Sequence, residues 1–464
     1  MHTESHSNTL ERRLGLFPVT NIVIANMIGA GIFTTSGLLM GDLKNPIIMI
    51  ALWVVGGIIA LCGALSYGEL GVAMPHAGGE YVFLSRLYRP MFGFLSGWMS
   101  FIVGFSAPIA ASAIGFSEYF FRAFPQIPQF AQMLGISSST AVNNALSIFV
   151  IALFTLVHLR GIEFGAKIQN VLTLLKVGLV VGLIALGFAL GNGDWAHLQQ
   201  GQPYTFNFSG WKTIGLSLMW IMFGYSGWNA AVYIGSEIKH PAKNLPRSLF
   251  WGTGIVIVLY LLLNVLYVYA VPPQEMQGVI SIGGLAMGEL FGGPVEMIFS
   301  ILIAFALFSS LSAFIILGPR VYYAMAQDGY FFKFVAKVSP KTHVPTRAIL
   351  LQGLISILLV LYGTFDQILT YMGFSLGIFP IFAVFGVFKL RRSNGHLKLP
   401  GYPIAQFVYI AAGLIILGLA YFERPVESTI AIATVLVGIP FFYLFKHQNK
   451  IKQKNRLISN RLYS

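Results

Sequence analysis

The sequence has 464 residues, of which 56% are hydrophobic and only 10% charged, and its mean hydropathy is +0.75. A water-soluble domain covers its outside with charged residues, about a quarter of the total, so this composition excludes that class and implies a chain surrounded by lipid. The net charge of +13 does not point to nucleic acid, because the basic residues are distributed as those of a membrane protein are.

Apolar runs long enough to cross about 30 Å of hydrocarbon recur along the whole chain. They are expected near 16–39, 46–73, 91–121, 142–159, 168–190, 210–234, 249–271, 295–325, 348–362, 368–388, 404–422 and 428–445. The fold class is therefore an all-α membrane protein of about 12 transmembrane helices. Abundant glycine suits helices that approach closely, and abundant phenylalanine suits a lipid-facing surface. The N-terminus is polar through Arg13, so no cleavable signal peptide is expected and the first span inserts itself.

Arg12, Arg13, Arg86, Arg89, Arg160, Lys167, Lys239, Lys243, Arg247, Arg320, Lys333, Lys337, Lys341, Arg347, Lys389, Arg391, Arg392, Lys398 and the tail from Lys446 to Arg461 fall on one side of this layout. The other side holds only Lys44, Arg122, Lys212 and Arg424. By the positive-inside rule both termini are cytoplasmic. The expected localisation is a multi-pass protein of a bacterial cytoplasmic membrane.

Two spans contain glycines where an ordinary helix is weakened by about 1 kcal/mol for each glycine that replaces alanine. The first has Ile28-Gly29-Ala30-Gly31-Ile32-Phe33 and the sixth has Phe223-Gly224-Tyr225-Ser226-Gly227-Trp228-Asn229. Close packing explains either run alone. Together they occupy matching places, the first helix of spans one to five and the first helix of spans six to ten. Five is odd, so the second set enters the membrane from the opposite side. Paired interruptions in two inverted halves point to a transporter site at the bilayer midplane.

The expected organisation follows: a tail at 1–14, a first repeat at 15–190, a second at 210–390, two appended helices at 404–445 and a basic tail at 446–464. Unwound backbone inside a bilayer needs protein, water or ligand to satisfy it. Freed N–H groups of Ala30, Gly31 and Ile32 at a half-helix start favour a carboxylate, and carbonyls around Asn26, Met27 and Phe223 favour an ammonium. An α-amino acid zwitterion carries one of each.

Lys176 lies about eight residues into the fifth expected span, roughly 12 Å along the axis, too deep for an end residue yet able to snorkel in part. Glu69 and Glu118 lie near opposite ends of the second and third spans, where both fit an interfacial position; turned inward, Glu118 would select cationic substrates. The chain shows no metal-ligand cluster, no H-E-x-x-H pair and no P-loop, and His2, His6 and His76 fall in a tail or a loop. It is expected to be neither an enzyme nor a carrier of a cofactor.

Met27 to Phe33 resembles the first-helix signature of the amino acid-polyamine-organocation (APC) superfamily. Phe223 to Asn229, followed by Glu237-Ile238-Lys239-His240-Pro241 and Asn244-Leu245-Pro246-Arg247, resembles the sixth-helix pattern of its L-type amino acid transporter branch. Pro319-Arg320, Ala324-Met325-Ala326, Asp328-Gly329 and Val344-Pro345 are similar to that branch further on. The resemblance implies a LeuT-type 5+5 inverted-repeat fold, alternating access and an amino acid substrate, moved by proton-coupled symport or by exchange.

It also implies roles by position: Phe223 as an aromatic gate, Tyr225 and Trp228 as weaker candidates, and Ser309, Ser310 and Ser312 at the ion or proton site. Lys176 would sit where sodium-coupled relatives hold their ion. L-type carriers join a heavy subunit through a cysteine between the third and fourth helices; this chain's only cysteine is Cys62, so no disulfide-linked partner is expected. The alternatives are a polyamine or other amine exchanger on the same fold and an amino acid sensor that does not transport.

Overall fold

The computed structural model describes residues 12–75, 78–133, 138–160, 162–339, 344–393 and 400–462. The tail histidines His2 and His6, and His76, Lys341 and Lys398, lie outside the described residues, as do the side chains of Lys167 and of the tail from 450 onward.

In chain order the α-helices are α1 (Leu16–Met27), α2 (Ala30–Leu43), α3 (Pro46–Ala73), α4 (Gly79–Leu87), α5 (Pro90–Met99), α6 (Ser106–Ala123), α7 (Gln126–Met133), α8 (Ser139–His158) and α9 (Ile162–Leu190). They continue with α10 (Phe208–Gly224), α11 (Pro241–Ala270), α12 (Pro273–Met276), α13 (Ile282–Phe291), α14 (Gly293–Gln327), α15 (Thr346–Tyr362), α16 (Phe365–Ser393), α17 (Ile404–Glu423) and α18 (Pro425–Leu462). No strand occurs among the described residues; the nearest approach to one is a parallel bridge between Leu14 and Ile238.

Among the described residues, ten helical stretches are long and apolar enough to cross a membrane. The sixth and ninth expected spans fall on α10 and α15, which have 17 residues each. Helix starts follow the local chemistry. Asn45 accepts from the Ile48 N–H ahead of Pro46, Ser138 from that of Ala141, and Asn207 from that of Gly210, each satisfying an amide that the first turn leaves free. The third expected span is two helices, α5 and α6, joined by a π-turn at Ser100–Gly104, with Ser106 Oγ donating to the Phe101 carbonyl 3.1 Å away.

The packing has an internal regularity. Replace each of the first five spans by the one five places later and the contacts map onto one another. α1 packs on α11 as α10 packs on α3; α9 on α14 as α16 on α6; α6 on α15 as α14 on α8; and α9 on α11 as α16 on α3. The pairs α3 with α11, α6 with α14 and α2 with α10 map onto themselves. Helices α17 and α18 stand outside the exchange, α17 against α3, α10 and α16, and α18 against α5 and α16.

Candidate functional site

The first span is interrupted at Ile28 (φ −68°, ψ 104°) and Gly29 (φ −149°, ψ −158°), both extended. Its second half, α2, begins at Ala30 with no side-chain cap. The amides of its first turn therefore have no partner within the helix, and they gather at its positive end. A Cβ built on Gly29 would lie 3.2 Å from Ser310 Oγ, a buried hydroxyl with no hydrogen-bond partner.

A second orphan hydroxyl belongs to Ser112. A Cβ on Gly115 would touch Thr34 and Leu307 at 3.1 and 3.2 Å. Ser112 is one turn inward of Gly115 on α6, and Ser310 one turn inward of Leu307 on the antiparallel α14. Helical register thus sets both hydroxyls beside the start of α2.

The carbonyls on the other side of the break have dedicated donors. Lys176 Nζ donates to the Ala25 carbonyl at 2.7 Å, and Tyr260 Oη to that of Met27 at 2.6 Å. Lys176 is only 2% exposed. Rather than snorkelling to the interface, its ammonium ends on the backbone of α1.

The sixth span ends its α-helix at Gly224, turns through 225–229 and resumes as a tighter 3-10 helix, Ala230–Glu237. Gly227 has φ +97°, and a Cβ there would sit 2.6 Å from the Asn26 carbonyl. The two breaks meet backbone to backbone at this point, which needs a residue with neither a side chain nor a φ restriction. A second close crossing joins Gly31 to Gly224: a Cβ on Gly31 would strike Gly224 Cα, with Gly224 N at 3.1 Å and the Phe223 ring at 3.4 Å.

Phe223 is buried beside Gly31, its carbonyl accepting from the Ser226 N–H at 2.9 Å. Of the carbonyls expected to attract an ammonium, those of Met27 and Phe223 each hold one donor already; a carbonyl oxygen has two lone pairs.

Ile28, Gly29, Ala30, Gly31, Ile32, Phe223, Gly224, Ser226 and Gly227 thus surround the two breaks, with Lys176 and Ser310 against them. Tyr225 and Trp228 turn toward α3. Tyr225 Oη donates to the Trp53 carbonyl at 3.0 Å while its ring packs on Trp53 and Tyr260. Trp228 sets its ring edge-on to Tyr67 with centroids 4.7 Å apart. Ser309 is fully buried. Ser312 pairs with His158 Nε2 at 3.0 Å; because His158 Nδ1 faces the Phe154 carbonyl at 2.8 Å, the ring is a donor there and accepts from Ser312.

The two acidic residues singled out from sequence both have protein partners. Glu118 accepts from Asn143 Nδ2 at 2.6 Å. Glu69, 1% exposed, accepts from Arg391 Nε at 2.5 Å and from Arg391 Nη2 at 2.9 Å, one on each carboxylate oxygen. Sequence reasoning missed Tyr260, Ser112 and Tyr119, which serve backbone or line the break; one tyrosine among 20 in the chain carries no signal of such a role. No group of three or more His, Cys, Asp or Glu suited to a metal occurs among the described residues.

Comparison with known families matches residues 14–444 to the family described as amino acid permease. Among similar proteins, the b(0,+)-type amino acid transporter 1 of Rattus norvegicus is 26% identical over 457 residues, covering 96% of this chain and 90% of its own. The large neutral amino acids transporter small subunit 2 of Mus musculus is 26% identical over 456 residues, covering 97% and 84%. The Asc-type amino acid transporter 1 of Mus musculus is 25% identical over 443 residues, covering 94% and 81%.

Proposed function

Because this chain belongs to the amino acid permease family, we propose that it is a secondary-active amino acid transporter that binds its substrate's zwitterion between the interrupted first and sixth spans. The observation that carries the reading is the meeting of those two breaks. One presents the uncapped amides of α2, and both present carbonyls within a few residues of those amides. A carboxylate suits the first and an ammonium the second. Phe223 lies beside Gly31, where its ring would cover a ligand held there.

The exchange symmetry of the helix contacts supports a 5+5 inverted repeat with α10 and α15 counted as spans, giving twelve in all. In such a fold the two broken spans bend at their breaks to open the site to one side at a time. Coupling is assigned to Lys176. Its ammonium occupies the contact between the fifth and first spans, where a bound cation would otherwise neutralise the carbonyl end. Loss and return of its proton would loosen and remake the contact with Ala25 once per cycle. Ser310, with its unpaired hydroxyl, faces the same break at Gly29 from α14.

The charge map supports cytoplasmic termini. The only cysteine, Cys62, lies in α3, so the carrier is expected to work without a disulfide-linked partner. The test is the purified protein in liposomes, supplied with labelled amino acids while proton and sodium gradients are imposed separately. Accumulation driven by an inward proton gradient and indifferent to sodium is expected. Binding without flux would convert the reading to a sensor, and uptake of polyamines in preference to neutral amino acids would convert it to an amine exchanger.

A further inference from the structure

Between the second and third spans, on the face assigned to the cytoplasm, α4 carries a carboxylate that the transport reading does not use. The chain turns into α4 through Gly78 and Gly79, at φ +122° and +51°. A Cβ on Gly79 would strike the Tyr233 ring. This tight approach brings Glu80 in between α3 and the sixth span. Its Oε1 accepts from Tyr67 Oη at 2.8 Å and from Asn229 Nδ2 at 3.0 Å.

Asn229 is the last residue of the turn that interrupts the sixth span, so Glu80 holds the inner edge of the break itself. The groups that face it are Tyr67 of α3, Asn229 and Tyr233 of the sixth span, and Tyr409 of α17; among the described residues no cation does. The rest of α4 is tied elsewhere. Tyr81 Oη donates to Asp328 Oδ2 beyond α14 at 2.7 Å, and Lys389 of α16 donates to the Leu87 carbonyl. If the inner half of the sixth span swings inward, the Glu80–Asn229 bond breaks while α4 stays anchored.

We propose that Glu80 is a proton site of the inner gate: it holds a proton while Asn229 is docked on it, and gives that proton to water when the sixth span swings away. The proposal rests on the transport reading and its orientation. A carboxyl half-buried among phenols with no counter-charge resists ionisation more than one fully opened to water. Burial accordingly pushes the Glu80 carboxyl above its ordinary value, against the two hydrogen bonds, which lower it.

The sign follows from linkage. The closed gate binds the proton more tightly than the open one. Acid therefore favours closure, and that preference is lost as pH rises through the raised value of the closed form.

The experiment uses the full chain in liposomes with equal pH on both sides, following exchange of whichever labelled amino acid the wild type carries. Exchange by the wild type should rise several-fold from mildly acid to mildly alkaline pH. Glu80→Gln keeps an acceptor for Tyr67 and Asn229 but cannot ionise, so its exchange should be slow and, compared in a Lys176→Ala background so that the lysine adds no slope of its own, flat across the range. Glu80→Asp should restore the slope. Glu80→Ala removes docking and titration together, and its profile should be flat at a higher rate than that of Glu80→Gln.

A wild-type slope persisting in a folded Glu80→Gln or Glu80→Ala protein overturns the proposal while leaving transport intact. Absence of any exchange by the wild type overturns the transport reading instead.

Discussion

At the scale of single residues, the break in the first span is held by donors whose loss is measurable. Lys176→Ala removes the ammonium from the Ala25 carbonyl and leaves a void in a membrane interior that supplies no water to replace it. An unsatisfied buried carbonyl costs about 1–3 kcal/mol, so the variant should melt lower in detergent. Its gradient-driven accumulation should collapse, while exchange of substrate survives if, as proposed, the ligand contacts lie on the first and sixth spans. Full accumulation by the variant would remove Lys176 from the coupling step. Tyr260→Phe is a finer probe. It deletes one hydroxyl that donates to the Met27 carbonyl at 2.6 Å and faces the Gly29 amide and keeps the ring against Tyr225, so the backbone on both sides of Ile28 is disturbed without repacking. Substrate affinity should fall several-fold in a binding assay on protein that still folds; unchanged affinity would place the Met27 carbonyl outside the site.

At the scale of elements, the crossing of the two broken spans is a backbone contact, and side chains there act as wedges. Gly31→Val would crowd a ligand bound at the breaks. The Cβ of residue 31 faces Gly224, however, so that variant pushes the first and sixth spans apart as well as crowding a ligand. Gly227→Ala should be at least as harmful, since φ +97° strains any L-residue and the Asn26 carbonyl blocks the methyl; a penalty of about 1–3 kcal/mol would appear as loss of folded protein on size-exclusion chromatography. Phe223→Ala tests the ligand side more cleanly, and uptake per folded molecule should drop.

The same elements show what a sequence can disclose. Both breaks were legible because two glycine pairs stand at matching places midway through apolar runs, where either alone would read as close packing, and Lys176 was legible because a charge in a span demands a partner. The start of α11 was not: it begins at Pro241, ahead of the apolar run expected from 249, because Lys243, Asn244 and Arg247 make its first turns too polar for hydropathy to see. Helix α4 and Glu80 were hidden for the same reason. Tyr260 and Ser112 acquire their roles only from three-dimensional register, which no local pattern encodes.

At the scale of the whole molecule, the site is enclosed from both ends by contacts that run between groups of helices. On the face proposed to be inner, the Arg13 and Leu14 amides donate to the Glu237 carbonyl at 2.9 and 3.0 Å, and the Lys239 amide to that of Leu14 at 2.8 Å, clasping the start of α1 to the end of the sixth span. On the face proposed to be outer, Tyr119 Oη donates to the Phe33 carbonyl at 2.5 Å and accepts from the Gly283 amide at 2.9 Å, while the Gly278 amide donates to the Gly37 carbonyl at 2.9 Å. Arg122 adds Ser281 at 2.6 Å and Glu296 at 2.8 Å. Tyr119 therefore joins α6, α2 and α13 through a single hydroxyl.

Tyr119→Phe leaves the ring in place and breaks both bonds, which removes about 1–2 kcal/mol from the outer-closed form and changes the ratio of closed to open molecules by about 5–30-fold. To read that shift, Cys62 is replaced by alanine and Ser112 by cysteine, a near-isosteric thiol beside the start of α2. A membrane-impermeant thiol reagent added from outside reaches that cysteine only through an open outer gate. Labelling should be several-fold faster in the Tyr119→Phe background, and saturating substrate should slow it by occupying the path. Equal labelling rates with and without the Tyr119 hydroxyl would mean that the outer closure is held by the Arg122 cluster and the Gly37–Gly278 contact instead, and that Tyr119 only fills space between α6 and α13.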